Sequence, residues 1–240
     1  VIPGGTGSAA PVVLVHGLGS SSDHGWRTPG WIDLLAEAGR EVLAIDLPGH
    51  GPAGHGPAGQ DPAPGALETG ALDAAAEVAG RLTGLGPVDA VGFSAGAHLL
   101  VECAARGLIR VRSMALLGVG PALIRPQPAA AAALADALES GDESDPQVRM
   151  LRGMTRRAGN DLASVAAFLR RPRRPITAAD LATITCPVLV VTGERDPAGR
   201  AAELAAMLPD AVGQAIPGAD HYSLPGDVRA MDAVLRFLGA

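Results

Sequence analysis

In "VDAVGFSAGAHLL" (residues 88–100) a single hydroxyl, Ser94, stands between Gly92 and Gly96. An apolar, valine-rich run precedes it and an alanine-rich run follows, so the serine falls where a predicted strand gives way to a predicted helix. A corner of that kind forces its central residue into a strained backbone, and glycines two positions to either side let the crossing segments approach. The hydroxyl is lifted clear of the sheet and set at a helix N-terminus, where free N–H groups and the helix dipole favour developing negative charge. Gly92-Phe93-Ser94-Ala95-Gly96 is a G-x-S-x-G nucleophile elbow, and its setting between strand and helix makes it more than a five-residue match.

A serine hydroxyl needs a base to accept its proton. Of the six histidines, His221 in "IPGADHYSLPGD" is the one that lies beyond Ser94 and outside the helix that follows it. His98 sits one turn past the serine and cannot comfortably swing back to it. The base in turn needs a carboxylate to fix its tautomer. Asp196 in "VLVVTGERDP" follows a predicted strand directly; Glu194 and Asp220 remain alternatives, and Asp196 before Pro197 also suits a helix start. The glycine turn His16-Gly17-Leu18-Gly19 closes the first strand, so the backbone N–H groups of Leu18 and Ala95 are the candidate oxyanion donors, with His16 bracing the loop.

The elements that must hold these groups alternate along the chain. Strands are predicted at 11–17, 41–51, 88–93, 111–120, 186–196 and 211–221, and helices at 30–39, 67–83, 95–107, 200–208 and 227–238. Short buried strands alternating with amphipathic helices imply an α/β fold with a mostly parallel sheet covered on both faces. Two segments interrupt the alternation. Residues 47–65, with "HGPAG" twice in tandem, read as a long exposed loop in which His50 and His55 lack a third metal ligand. Residues 121–181 are helical in pattern with no strand signal, which predicts a helical cap inserted into a core formed by 1–120 and 182–240.

The chain therefore resembles the α/β-hydrolase superfamily. The pieces "VLVHGLG", "AIDLPGHG", "VGFSAG", "VTGERDP" and "IPGADH" occur in that family's order and span Val12 to His221. The resemblance implies an eight-stranded sheet with a helical cap, Ser94, Asp196 and His221 as a triad, and Leu18 and Ala95 as oxyanion donors. Only eleven residues precede Val12, where the matching pieces begin, so the family's antiparallel hairpin at the sheet edge is expected to be shortened or absent. A serine at the elbow disfavours the epoxide hydrolase and haloalkane dehalogenase chemistries, which use aspartate there. The leading expectation is a carboxylic ester hydrolase acting on a small acyl ester. Thioester cleavage or acyl transfer on the same machinery is the alternative, and a non-catalytic ligand-binding relative is the alternative of another class.

Within the cap, Met150, Leu151, Met154, Phe168 and Leu169 are expected either to face the pocket or to pack the cap on the sheet. Trp26 and Trp31 are expected at the entrance, and Tyr222, next to His221, at the substrate. "RRPRRP" (170–175) reads first as a solvated turn and second as a seat for an acidic carrier or anionic substrate. The formal net charge of −6 argues against nucleic acid. All 19 cationic side chains are arginines, a compositional bias. Cys103 and Cys186 are expected as free thiols, the start "VIPGGTGSAAP" lacks the pattern of a signal peptide, and no apolar run approaches a membrane span, so a cytoplasmic location is expected. No metal or organic cofactor is implied.

Overall fold

The structure is a computed structural model that describes residues 10–51, 67, 69–141 and 143–240. Six strands form one parallel sheet in the order β2-β1-β3-β4-β5-β6: β1 (Val12–Val15), β2 (Val42–Ile45), β3 (Val88–Phe93), β4 (Val111–Leu117), β5 (Val188–Gly193) and β6 (Ala211–Ile216). Each is short, and β1 and β5 are buried throughout, as apolar strands covered on both faces must be. Alternation along β1 divides the core. Val13 and Val15 enter one apolar cluster with Ala97, Leu100 and Met114, while Val12 and Leu14 enter another with Trp31, Leu35 and Val234.

The flanking helices are α1 (Trp31–Glu37), α2 (Ala74–Gly80), α3 (Ala95–Ala105), α4 (Pro128–Ser140), α5 (Pro146–Arg157), α6 (Leu162–Arg170), α7 (Ala178–Ala182), α8 (Ala201–Ala205) and α9 (Val228–Leu238). Helices α4 to α7 all fall between β4 and β5. Helices α4, α5 and α6 share a small core of their own, with Ala135, Leu138, Leu151, Val165, Ala166 and Leu169, and Leu18 from the loop after β1 packs against it.

Two expectations change. The sheet holds six strands among the described residues, not eight, and all of its pairings are parallel. Residues 67–83 do not form one helix: α2 starts at Ala74, where the Asp73 carboxylate caps the N–H groups of Ala75 and Ala76. Most of the loop 47–65, His55 included, lies outside the described residues. Cys103 and Cys186 are free thiols. Among the described residues no helix is long and apolar enough to cross a membrane, and no group of three or more metal-ligating side chains is assembled.

Candidate active site

The corner between β3 and α3 explains the two glycines. Ser94 has φ 50° and ψ −112°, and it is the one non-glycine residue with positive φ among those described. A Cβ on Gly92 would meet the Ala97 backbone at 2.6 Å, and one on Gly96 would run into the carbonyl groups of Val15 and His16. Both glycines are demanded by close approach of backbone, not by turn flexibility.

His221 follows β6 and faces the corner. The Ser94 hydroxyl donates to His221 Nε2 at 3.0 Å, and His221 Nδ1 donates to Asp196 at 3.0 Å and 3.1 Å from its two oxygens. The Asp196 side chain is buried, while that of His221 remains about one-fifth exposed, toward the space a substrate would occupy. Asp196 also accepts the Ala198 N–H at 2.9 Å, so the turn after β5 and the imidazole share one carboxylate. The competing acids are engaged elsewhere. Glu194 accepts the Gly218 N–H at 2.8 Å, and Asp220 accepts the N–H groups of Tyr222 and Ser223. Phe93 and Tyr222 hold the imidazole ring between them, with centroid distances of 5.0 Å and 5.4 Å.

The loop after β1 is fixed by two histidines that the sequence does not single out as a pair. His16 donates from Nδ1 to the Gly17 carbonyl at 2.7 Å and accepts the Leu47 N–H on Nε2 at 3.1 Å. His50 accepts the Gly19 N–H on Nε2 at 3.0 Å and donates from Nδ1 to the Pro48 carbonyl at 3.1 Å. That donor–acceptor pattern requires a neutral ring. Burial, reinforced by nearby His16, pulls the His50 pKa down to about 3. Asn160, just past α5, donates to the Ser20 carbonyl at 2.8 Å and accepts the Gly51 N–H, tying the inserted helices to both loops. The Leu18 N–H makes no backbone hydrogen bond among the described residues, and Ala95, as first residue of α3, has no intrahelical acceptor for its own. Leu18 and Ala95 line one cavity with Ser94 and His221.

That cavity has a volume of about 410 Å³. Phe168 and Tyr222 line it, although Phe168 is also fully buried, edge-on against His50. Met154 lines a neighbouring cavity of about 240 Å³ that shares Leu18 and Tyr222 with the first. Two expectations need correction. Met150 is exposed and lines none of these spaces, because Leu151 and Met154, three apart on α5, take the inward face. Trp26 and Trp31 are not at an entrance: both are fully buried in an edge-to-face pair at 5.3 Å. Trp26 forms a wall of the neighbouring cavity, and Trp31 donates to the Pro225 carbonyl at 2.7 Å within the core.

His98, Arg171 and Arg173 also line the 410 Å³ cavity. The arginines belong to the "RRPRRP" stretch, whose first reading was a solvated turn. That reading fails for Arg171, which is buried, with its guanidinium 3.5 Å above the Phe168 ring and donating to the Phe168 carbonyl.

A parallel sheet whose strand-to-helix corner raises a strained serine beside a histidine defines an α/β-hydrolase architecture. The chain belongs to the Alpha/beta hydrolase family, whose model matches residues 12–236. Among curated proteins no sequence matches it significantly. It is similar in structure to NosK from Streptomyces actuosus, at 23% identity and TM-score 0.68, over 96% of this chain and 97% of that one. A thermophilic esterase from Thermogutta terrifontis matches at 22% identity and TM-score 0.69, over 98% and 91%. The enol-lactonase from Burkholderia xenovorans matches at 23% identity and TM-score 0.64, over 98% and 93%. Likeness at such identities speaks for the fold.

Proposed function

We propose that this chain is a serine hydrolase that cleaves a carboxylic ester through an acyl-enzyme on Ser94. The observation that carries the reading is the continuous run of hydrogen bonds from Ser94 through His221 to Asp196, at 3.0 Å and 3.0 Å. Ser94 Oγ attacks the carbonyl carbon while His221 Nε2 takes the hydroxyl proton. The carbonyl oxygen becomes an oxyanion facing the N–H groups of Leu18 and Ala95. Collapse expels the alkoxide, which receives the proton from His221. Water then adds to the acyl-enzyme, again losing its proton to His221, and the acid leaves as Ser94 recovers its own. Asp196 keeps Nδ1–H of His221 in place and stabilises the imidazolium. The helices within 121–181 act as a cap, closing the cavity with Leu169 and Phe168.

Support comes from the pieces acting together: an elbow strained at Ser94, two unclaimed amides on the same cavity wall, and membership of a hydrolase family. The titrated test is a fluorophosphonate probe together with p-nitrophenyl ester turnover. Wild type is expected to be labelled and active, and Ser94→Ala to lose both. An unlabelled wild type would instead favour a ligand-binding protein on this fold.

A further inference from the structure

Beyond the cavity that holds Ser94 lies a second space of about 720 Å³. The two meet at His98, Ala122, Leu123, Leu169, Arg171 and Arg173, which line both. Five arginines line the larger space, at 125, 170, 171, 173 and 174, and no aspartate or glutamate does. Two of the five are neutralised from outside it: Arg170 pairs with Asp136 and Glu139, and Arg174 with Asp180. Arg125, Arg171 and Arg173 have no carboxylate within ion-pair distance among the described residues.

Three unpaired guanidiniums around one opening repel one another, and one of them is out of water. Arg171 is 7% exposed, and a buried cation without a partner anion is costly. Burial and the neighbouring Arg173 lower its pKa to about 9. Among the described residues, the acid that opposes this, Glu102, is itself paired with Arg106 at 3.0 Å. His98 adds a second unsatisfied group at the same junction: its Nδ1 is buried with no hydrogen-bond partner. In a chain with net charge −6, such a concentration of unopposed positive charge is not the average surface. Between it and Ser94 the wall is apolar, with Val119, Leu123 and Leu169.

We infer that the substrate carries an anionic oxygen group, a carboxylate or a phosphate, separated by an apolar stretch from the acyl carbon that Ser94 attacks, and that Arg171 and Arg173, with Arg125 on the wall of the larger space, receive it. Guanidinium forks match both groups geometrically. This inference rests on Ser94 chemistry for its reaction but not for its binding site.

The test separates the two sources of the charge. A carboxylate on the acyl side is probed with mono-p-nitrophenyl glutarate against p-nitrophenyl valerate. A phosphate on the leaving-group side is probed with butyryl-coenzyme A against the neutral thioester S-butyryl-N-acetylcysteamine. In one of the pairs the anionic member should be favoured at least tenfold in kcat/KM, mainly through KM. That ratio should fall to within about threefold of parity in Arg173→Gln and in Arg125→Gln, both exposed positions. Because Arg171→Gln removes a buried stack, it is read only if its thermal midpoint is retained. Calorimetric binding of glutarate and of coenzyme A to wild type and Arg173→Gln reads the site without turnover. If neutral esters turn over in a Ser94-dependent way but neither pair shows a charge preference, the anion site is wrong and the hydrolase reading stands. If Ser94→Ala changes nothing yet an anion binds and is lost in Arg173→Gln, the anion site stands and the hydrolase reading falls. No binding and no preference removes the anion site outright.

Discussion

Asp196 carries two loads on one carboxylate, the turn amide of Ala198 and the imidazole of His221. Replacing it with asparagine keeps an oxygen for Ala198 but presents an amide where the histidine needs an acceptor for Nδ1–H. Asp196→Asn is therefore expected to keep its thermal midpoint within a few degrees while kcat drops by about 10³–10⁴, the scale seen when such an orienting acid is lost. Turnover within tenfold of wild type would hand the role to Glu194 or Asp220, against their present hydrogen bonds. Ser94 and His221 were legible in the sequence because local spacing and chain order isolate each of them. Asp196 was only half legible, since Glu194 stands two residues earlier on the same strand end, and what separates them is the turn closed by Asp196 N–H on the Gly193 carbonyl. For Arg171 the second reading of its stretch, a seat for an anion, was legible, but its burial was not. Nothing in "RRPRRP" says that one of four arginines is folded inward over an aromatic ring.

At the scale of elements, the sequence located the buried strands well because each is a brief apolar run between turn residues; β3 at Val88–Phe93 matches its expectation residue for residue. Helix α2 was overextended because Leu67, Ala71 and Leu72 carry the apolar signal on to the N-terminal side of the Asp73 cap that stops it. The eight-stranded sheet was an inference from resemblance, and edge strands are where relatives differ most freely, since an edge has one neighbour to satisfy. The elbow gives the sharpest prediction at this scale. Gly96→Ala would push a methyl into the carbonyl groups of Val15 and His16, at the end of β1, which β2 and β3 hold on both sides. It is expected to cost about 3 kcal/mol or more, at the upper end of overpacking penalties, and to lower the urea midpoint accordingly. Gly80→Ala, where nothing lies within 4 Å of the added carbon, should stay within about 1 kcal/mol of wild type. Equal urea midpoints for the two variants would show that the corner is not a close approach. The opposite end of β3, the strand that runs into the elbow, is held differently: buried Asp89 accepts from Arg40, Arg112 and Ser113. Asp89→Ala strands the Arg40 guanidinium and should cost about 3–5 kcal/mol in the same urea measurement, far from the serine.

Over the whole molecule, buried imidazoles are placed so that acid works against folding from just below neutral pH, ahead of the ordinary carboxylate range. His50 and His98 are buried as neutral rings, with pKa values of about 3 and about 4, and His24 is lowered as well. For His98 the causes are burial, then Arg173, then Arg171; for His50 they are burial and then His16, with Arg171 lowering it further and the Pro48 carbonyl and Asp46 raising it. For His24, burial leads, followed by Arg157 and His16. In the unfolded chain each would titrate near 6.5. Between that value and the folded one, the unfolded state binds more protons, so stability must fall as pH falls through this window. Each fully shifted group contributes at most about 1.4 kcal/mol per pH unit. The carboxylates held low by partners, such as Asp73 and Asp180 at about 2, act only below the ordinary carboxylate range and leave the upper window to the histidines. Unfolding free energies from urea titrations at pH 7, 6, 5 and 4.5 should therefore decline steadily. His98→Leu should flatten that decline by up to about one unit of slope, 1.4 kcal/mol per pH unit, because it removes a group that must stay neutral and leaves the arginines in place. A slope unchanged by His98→Leu would mean that the ring takes up its proton in the folded state, beside Arg171 and Arg173, and that an opposing charge reaches this junction after all.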